Sequence, residues 1–137
     1  MLFRIALVLA ALTLAPVPVL RADNPPCPAG TDHFIEYRLF FGRSQDTVET
    51  VTDTAWREFL AEEITPRFPD GLAVLDAAGQ WRDGSGTIVW ERSKVVLVLA
   101  ESGATGMRHT EEIAQAYKRT FGQESVLRAI STACVSF

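Results

Sequence analysis

The spacing at which apolar residues recur switches several times along this chain, and the order of those switches restricts its fold more than any other feature. Over residues 33–41 the period is two. Ile35, Tyr37, Leu39 and Phe41 share one face and Glu36 and Arg38 the other, as in a half-buried strand. Gly42-Arg43-Ser44 ends it. Asp53 then offers a helix N-cap, and Trp56, Phe59, Leu60 and Ile64 follow at helical spacing until Pro66 stops the helix. Pro69-Asp70-Gly71 forms a tight turn into a short apolar strand over 72–75, followed by an irregular stretch over 76–79. Asp83-Gly84-Ser85-Gly86 reads as a hairpin between Gln80-Trp81-Arg82 and a third strand over 87–99. The end of that strand, 95–99, is apolar on both faces, which predicts a central position. Ile113, Tyr117 and Phe121 mark a second helix capped by Gly122, and a last strand covers about 125–137.

The order is β-α-β-β-α-β. It predicts an α+β domain of ferredoxin-like topology: an antiparallel four-stranded sheet in spatial order 4-1-3-2, with two helices on one face. A chain of 137 residues fits one such domain. Residues 1–22 read as a secretory signal instead of part of it. Arg4 supplies the positive start, residues 5–14 are apolar apart from Thr13, and Pro16 and Pro18 break a run too short to span a bilayer. Cleavage is expected after Ala22, or near Ala15, leaving residues 23–137 as the mature domain. An uncleaved membrane anchor is the alternative.

Removing 1–22 takes away Arg4 and Arg21 and no acid, leaving 11 basic residues against 17 acidic ones and a net charge of −6. An acidic domain without a basic stripe repels phosphate backbones, which argues against nucleic acid as a partner. Cys27 and Cys134 both survive processing. In an oxidising compartment an even count reads as a bridge, with two free thiols as the alternative. Cys27 precedes the first strand and Cys134 ends the last, and the predicted topology makes those ends neighbours. The strand order and the bridge therefore support each other.

Sites are harder to read. Ser85 lies between glycines, where serine is a common turn residue. His33 and His109 have no Cys, Asp or Glu at ligand spacing, so no metal is expected, and no glycine-rich phosphate loop implies a cofactor. The densest polar group is Arg67, Asp70, Gln80, Trp81 and Arg82, a set able to hold a small polar ligand, although turn chemistry alone explains most of it. Glu91 and Ser93 share the face of Val89, Val95 and Leu97. If that face meets the helices, Glu91 is a partly buried carboxylate needing a partner such as Arg67 or Arg82, and the one candidate acid or base. On the same reading Glu36, Arg38, Trp90, Arg92, Lys94 and Arg128 lie on the bare face of the sheet, with Val126 and Ile130, and offer a dimer or partner interface.

The segment 63–86, EITPRFPDGLAVLDAAGQWRDGSG, and the segment 117–128, YKRTFGQESVLR, resemble the uncharacterised bacterial family DUF3574, as do Phe40–Ser44 and the closing Cys134–Phe137. The resemblance spans the mature chain. It implies a small exported protein and carries no activity with it. The expectation is thus a periplasmic or secreted module that binds a partner or its own copy, with a small-ligand binder or enzyme at the turn-hairpin group as the competing reading.

Overall fold

The computed structural model describes residues 26–45 and 48–137. The expected signal segment lies outside them. Strand β1 (Asp32–Gly42) is followed by two short strands, β2 (Ser44–Gln45) and β3 (Val48–Glu49), which pair only with each other. Helix α1 (Asp53–Phe59) continues through a π turn (Leu60–Ile64) and a 3-10 turn (Thr65–Arg67), tightening where Pro66 withholds a backbone donor. Then come β4 (Ala73–Arg82), β5 (Ile88–Glu101), α2 (Ala104–Phe121) and β6 (Leu127–Val135).

The result is a mixed α/β domain with two helices and a four-stranded antiparallel sheet in the order β4-β5-β1-β6. Among the described residues no helix is long and apolar enough to cross a membrane. Tyr37, Leu39 and Phe41 of β1 and Val96 and Val98 of β5 form one wall of the core. Trp56, Phe59 and Ile64 after β3, and Ile113 and Tyr117 on α2, form the other, so both helices cover the same side of the sheet. Phe41, Phe59 and Tyr117 meet edge to face, with centroids 4.7–6.3 Å apart. Gly106 lets α2 approach β1 closely, because a Cβ there would stand 2.7 Å from the Tyr37 hydroxyl.

Four local readings need correcting. The N-cap of α1 is Thr52, whose hydroxyl accepts from Ala55 N; Asp53 is the first helical residue and faces elsewhere. Residues 76–79 are not irregular: β4 is one ten-residue strand, because its whole length pairs with β5 from Ala73↔Leu97 to Arg82↔Ile88. The inner face of β5 carries the even-numbered residues. Phe41 opposes Lys94, Leu39 opposes Val96 and Tyr37 opposes Val98, so Trp90, Arg92 and Lys94 lie on the helix side and Glu91, Ser93, Val95 and Leu97 on the bare side. Likewise Tyr37↔Ile130 and Leu39↔Arg128 turn Arg128 and Ile130 toward the helices. The reason is common to both strands: with 95–99 apolar throughout and small residues along β6, alternation within one strand does not choose a side. The pairing with β1 does.

Cys27 and Cys134 are joined by a disulfide with Cα atoms 5.6 Å apart, closing a loop of 107 residues. It ties the turn before β1 to the end of β6, as the topology requires.

Candidate functional site

Three regions could carry function: the bare sheet face, a charged cleft beside α1, and a wider cleft at the start of α2. On the bare face, Glu36 and Arg38 pair at 2.6 Å near the middle. Around them lie apolar side chains, among them Leu127 (63% exposed), Leu75 (51%) and Trp81 (44%), with Leu99 also exposed. By register Leu75 opposes Val95, Ala73 opposes Leu97, and Leu127 opposes Phe40, so this apolar surface is continuous across all four strands. Glu91 lies on this side next to Gly42, whose missing side chain makes room: a Cβ there would be 2.6 Å from Glu91 Oε1. Burial pushes the Glu91 carboxyl above the usual carboxylate range, and a hydrogen bond from the Ser44 backbone N–H pulls the other way. Neither Arg67 nor Arg82 reaches it: no ion pair of Glu91 is formed among the described residues.

The charged cleft, about 360 Å³, lies on the helix side and is lined by Asp53, Trp56, Arg57, Asp76, Arg92 and Lys94. Behind it Arg43 is only 1% exposed. Its Nε donates to Val51 O at 2.8 Å, Nη2 meets Glu49 Oε1 at 2.8 Å and Nη1 meets Asp53 Oδ1 at 2.8 Å, the last out of line for a hydrogen bond. Lys94, also buried, donates to Asp76 and lies 3.8 Å from Asp53. Through its hydrogen bond, Lys94 holds the Asp76 carboxyl below the usual carboxylate range. Alternating cations and carboxylates pair with one another here, as in a structural network, with Arg43 Nη1 the one buried nitrogen among the described residues that lacks a hydrogen-bond partner. Sequence reading missed Arg43, Asp53 and Asp76 as a group, since they come from three separate segments; one signal was Arg43 itself, a charge directly after a buried strand end.

The wider cleft, about 630 Å³, includes Arg67, Asp70, His109, Phe34, Phe68 and Phe137. Arg67 is already engaged by Glu63 at 2.9 Å and Glu112 at 3.3 Å, and its carbonyl lies 3.0 Å from His109 Nδ1. The predicted turn-hairpin group therefore divides. Arg67 and Asp70 line this cleft, Trp81 and Glu91 are on the bare face, and Gln80 and Arg82 lie on the helix side of β4 near the hairpin. An extended strand of ten residues spans roughly 30 Å, too far for one loop site to gather both ends. Ser85 is the turn residue expected of it: Asp83 Oδ1 accepts from Ser85 N at 2.9 Å and from Thr87 N at 2.9 Å. Of the predicted interface residues, only Arg38 and its partner Glu36 are on the bare face. Trp90, 73% exposed, projects from the helix side beyond the reach of the helices, and Arg128 is bound to Glu111 of α2.

Fold and surfaces define a small α/β domain with one sheet face covered by helices and one left bare. The chain belongs to DUF3574, described as a protein of unknown function, whose family model matches residues 36–137. Among curated proteins none matches the chain. Among solved structures, a phage SAM lyase in complex with S-methyl-5'-thioadenosine shares the fold, with a TM-score of 0.60 at 16% identity, covering 82% of this chain and 94% of that one. A phage SAM lyase in the apo state gives a TM-score of 0.57 at 16% identity, covering 84% of this chain and 97% of that one.

Proposed function

We propose that this protein is an exported, ferredoxin-like envelope module that acts by self-association through the bare face of its sheet. The observation that carries this reading is the apolar surface of Leu75, Trp81, Leu99 and Leu127, on the side opposite both helices. An antiparallel sheet that faces only water alternates polar residues outward; here Leu75, Val95, Phe40 and Leu127 form an outward apolar row across all four strands. The occupant is a second copy. Glu36 and Arg38 side by side place both signs near the middle of the face, so a twofold-related mate sets each charge against its opposite. The strand order β4-β5-β1-β6 is the 4-1-3-2 arrangement expected of a ferredoxin-like sheet, and it supports that fold name. The disulfide and the apolar run before Pro16 support export.

Sedimentation at micromolar concentration tests the interface. The wild type should run as a dimer, and Leu75→Glu, which sets a charge into the apolar surface, should weaken association by about 2 kcal/mol or more. Trp90→Ala, on the other side of the sheet, should leave it unchanged. A monomeric wild type, or a Trp90→Ala variant that dissociates while Leu75→Glu does not, sinks the reading. Export is checked by the mass of the native protein, which should begin near Asp23; an intact Met1 in the cytosol defeats it.

The fold shared with the phage SAM lyase brings an enzyme reading with it, but the residues predicted for a ligand do not gather in one cleft, and the charges beside α1 are paired mainly with one another. The binding module is the better-supported reading.

A further inference from the structure

His33, Cys134 and Cys27 meet at the end of the sheet, although the sequence gives no metal-ligand spacing among them. His33 on β1 and Cys134 on β6 are partners in the antiparallel register, so the sheet itself holds those two side chains together. Cys27 is delivered by a turn with its own bonds: Thr31 N donates to Pro28 O at 3.2 Å and Thr31 Oγ1 to the same oxygen at 2.7 Å. The Cys27 sulfur lies 3.2 Å from His33 Nδ1, and the three candidate ligand atoms all fall within 4.8 Å of one another. The register rests on the β1–β6 ladder, and the turn on these two hydrogen bonds.

We propose that the Cys27–Cys134 bridge is one of two alternative states of this corner, the other being a thiolate–imidazole site for a thiophilic divalent cation held by Cys27, Cys134 and His33. The disulfide and the metal exclude each other, because a sulfur committed to a disulfide has no thiolate to give. To pass between them, a dithiol reductant supplies two electrons and two protons. The Sγ–Sγ bond breaks to two thiols, and the reductant closes its own disulfide. The cation then releases the two thiol protons to solvent and bonds both thiolates and one nitrogen of neutral His33. A tetrahedral zinc site needs its sulfurs about 3.8 Å apart, from Zn–S bonds of about 2.3 Å. Rotation about the Cα–Cβ bonds gives that separation from Cα atoms 5.6 Å apart. Three protein ligands leave the fourth position to water, and the exposed setting of His33 and Cys134 admits the ion from solvent.

Zinc is the probe. The protein is compared as isolated and after anaerobic reduction by a phosphine, which is oxidised to phosphine oxide with water supplying the oxygen. Native mass spectrometry and competition with a chromophoric zinc chelator should show one zinc per reduced chain and none on the oxidised chain. His33→Ala retains both cysteines and hence the bridge; its reduced form should bind zinc at least about tenfold more weakly. Circular dichroism at low temperature follows folding throughout. The proposal is overturned if the reduced chain takes no zinc, if the oxidised chain binds it equally, if His33→Ala keeps full affinity, or if the reduced chain unfolds and zinc does not restore it. None of these results bears on the sheet-face dimer, which sedimentation of the oxidised protein tests by itself.

Discussion

Replacing Cys27 by Ser should lower the stability of the domain by about 4–5 kcal/mol, the chain-entropy value for closing a loop of roughly 100 residues. The loop here is 107 residues and takes in nearly all of the folded chain. With about 4 °C of melting temperature lost per kcal/mol in a domain of this size, the midpoint should fall by roughly 15–20 °C. Such domains commonly hold 5–15 kcal/mol in total, so the variant should stay folded in the cold and melt well below the wild type. Thermal unfolding followed by circular dichroism measures this directly, with the reduced wild type as a second form of the same loss. A fall of under 5 °C would mean that the sheet register alone holds the two ends and that the unfolded chain gains little freedom when the bridge opens.

The second large effect is expected at Arg43. Arg43→Ala removes the cation shared by Glu49 and Asp53 and the donor to Val51 O, and among the described residues it leaves Glu49 with only Arg92 at 3.5 Å and Asp53 with only Lys94 at 3.8 Å. Breaking a buried pair on one side commonly costs 3–5 kcal/mol. Both carboxylates are partly wet, which places the loss near the lower end, about 3 kcal/mol. Urea denaturation of the two proteins reads this as a shift of midpoint at unchanged slope. A loss under about 1 kcal/mol would reduce the network to an ordinary surface pair. The same corner predicts the direction of acid sensitivity. Asp76 has its pKa lowered in the folded state by Lys94, so its contribution is present above the unfolded value and is lost as pH falls through the lowered one. Asp76→Asn should therefore destabilise at neutral pH and lose that difference in acid.

Arg43 also shows why part of this protein was legible before folding and part was not. The alternation over 33–41 named Tyr37, Leu39 and Phe41 as inward-facing, and all three are buried. Ile113, Tyr117 and Phe121 marked α2 and Gly122 its C-cap, in the left-handed conformation the position favours. These features depend on residues a few places apart, and short-range periodicity records them. The pairing of Cys27 with Cys134 was legible too, because a bridge between two cysteines has one possible partner. The sides of β5 and β6 were not. Val96 and Leu97 are equally apolar, and which of them turns inward depends on where β5 stands against Leu39 forty residues and more away. One residue of register exchanges every side chain on the strand, which moved Trp90, Arg92 and Lys94 from the expected interface to the helix side and brought Trp81 and Leu75 onto the bare face. The clusters follow the same rule. Arg43 with Glu49, Asp53, Asp76 and Lys94, and His33 with its two cysteines, draw on segments that no spacing in the chain connects. Sequence by itself determined where the two helices and the cores of the four sheet strands lie, through local periodicity; that 76–79 continues β4, the faces the strands show and the charges they gather were decided only when the sheet paired.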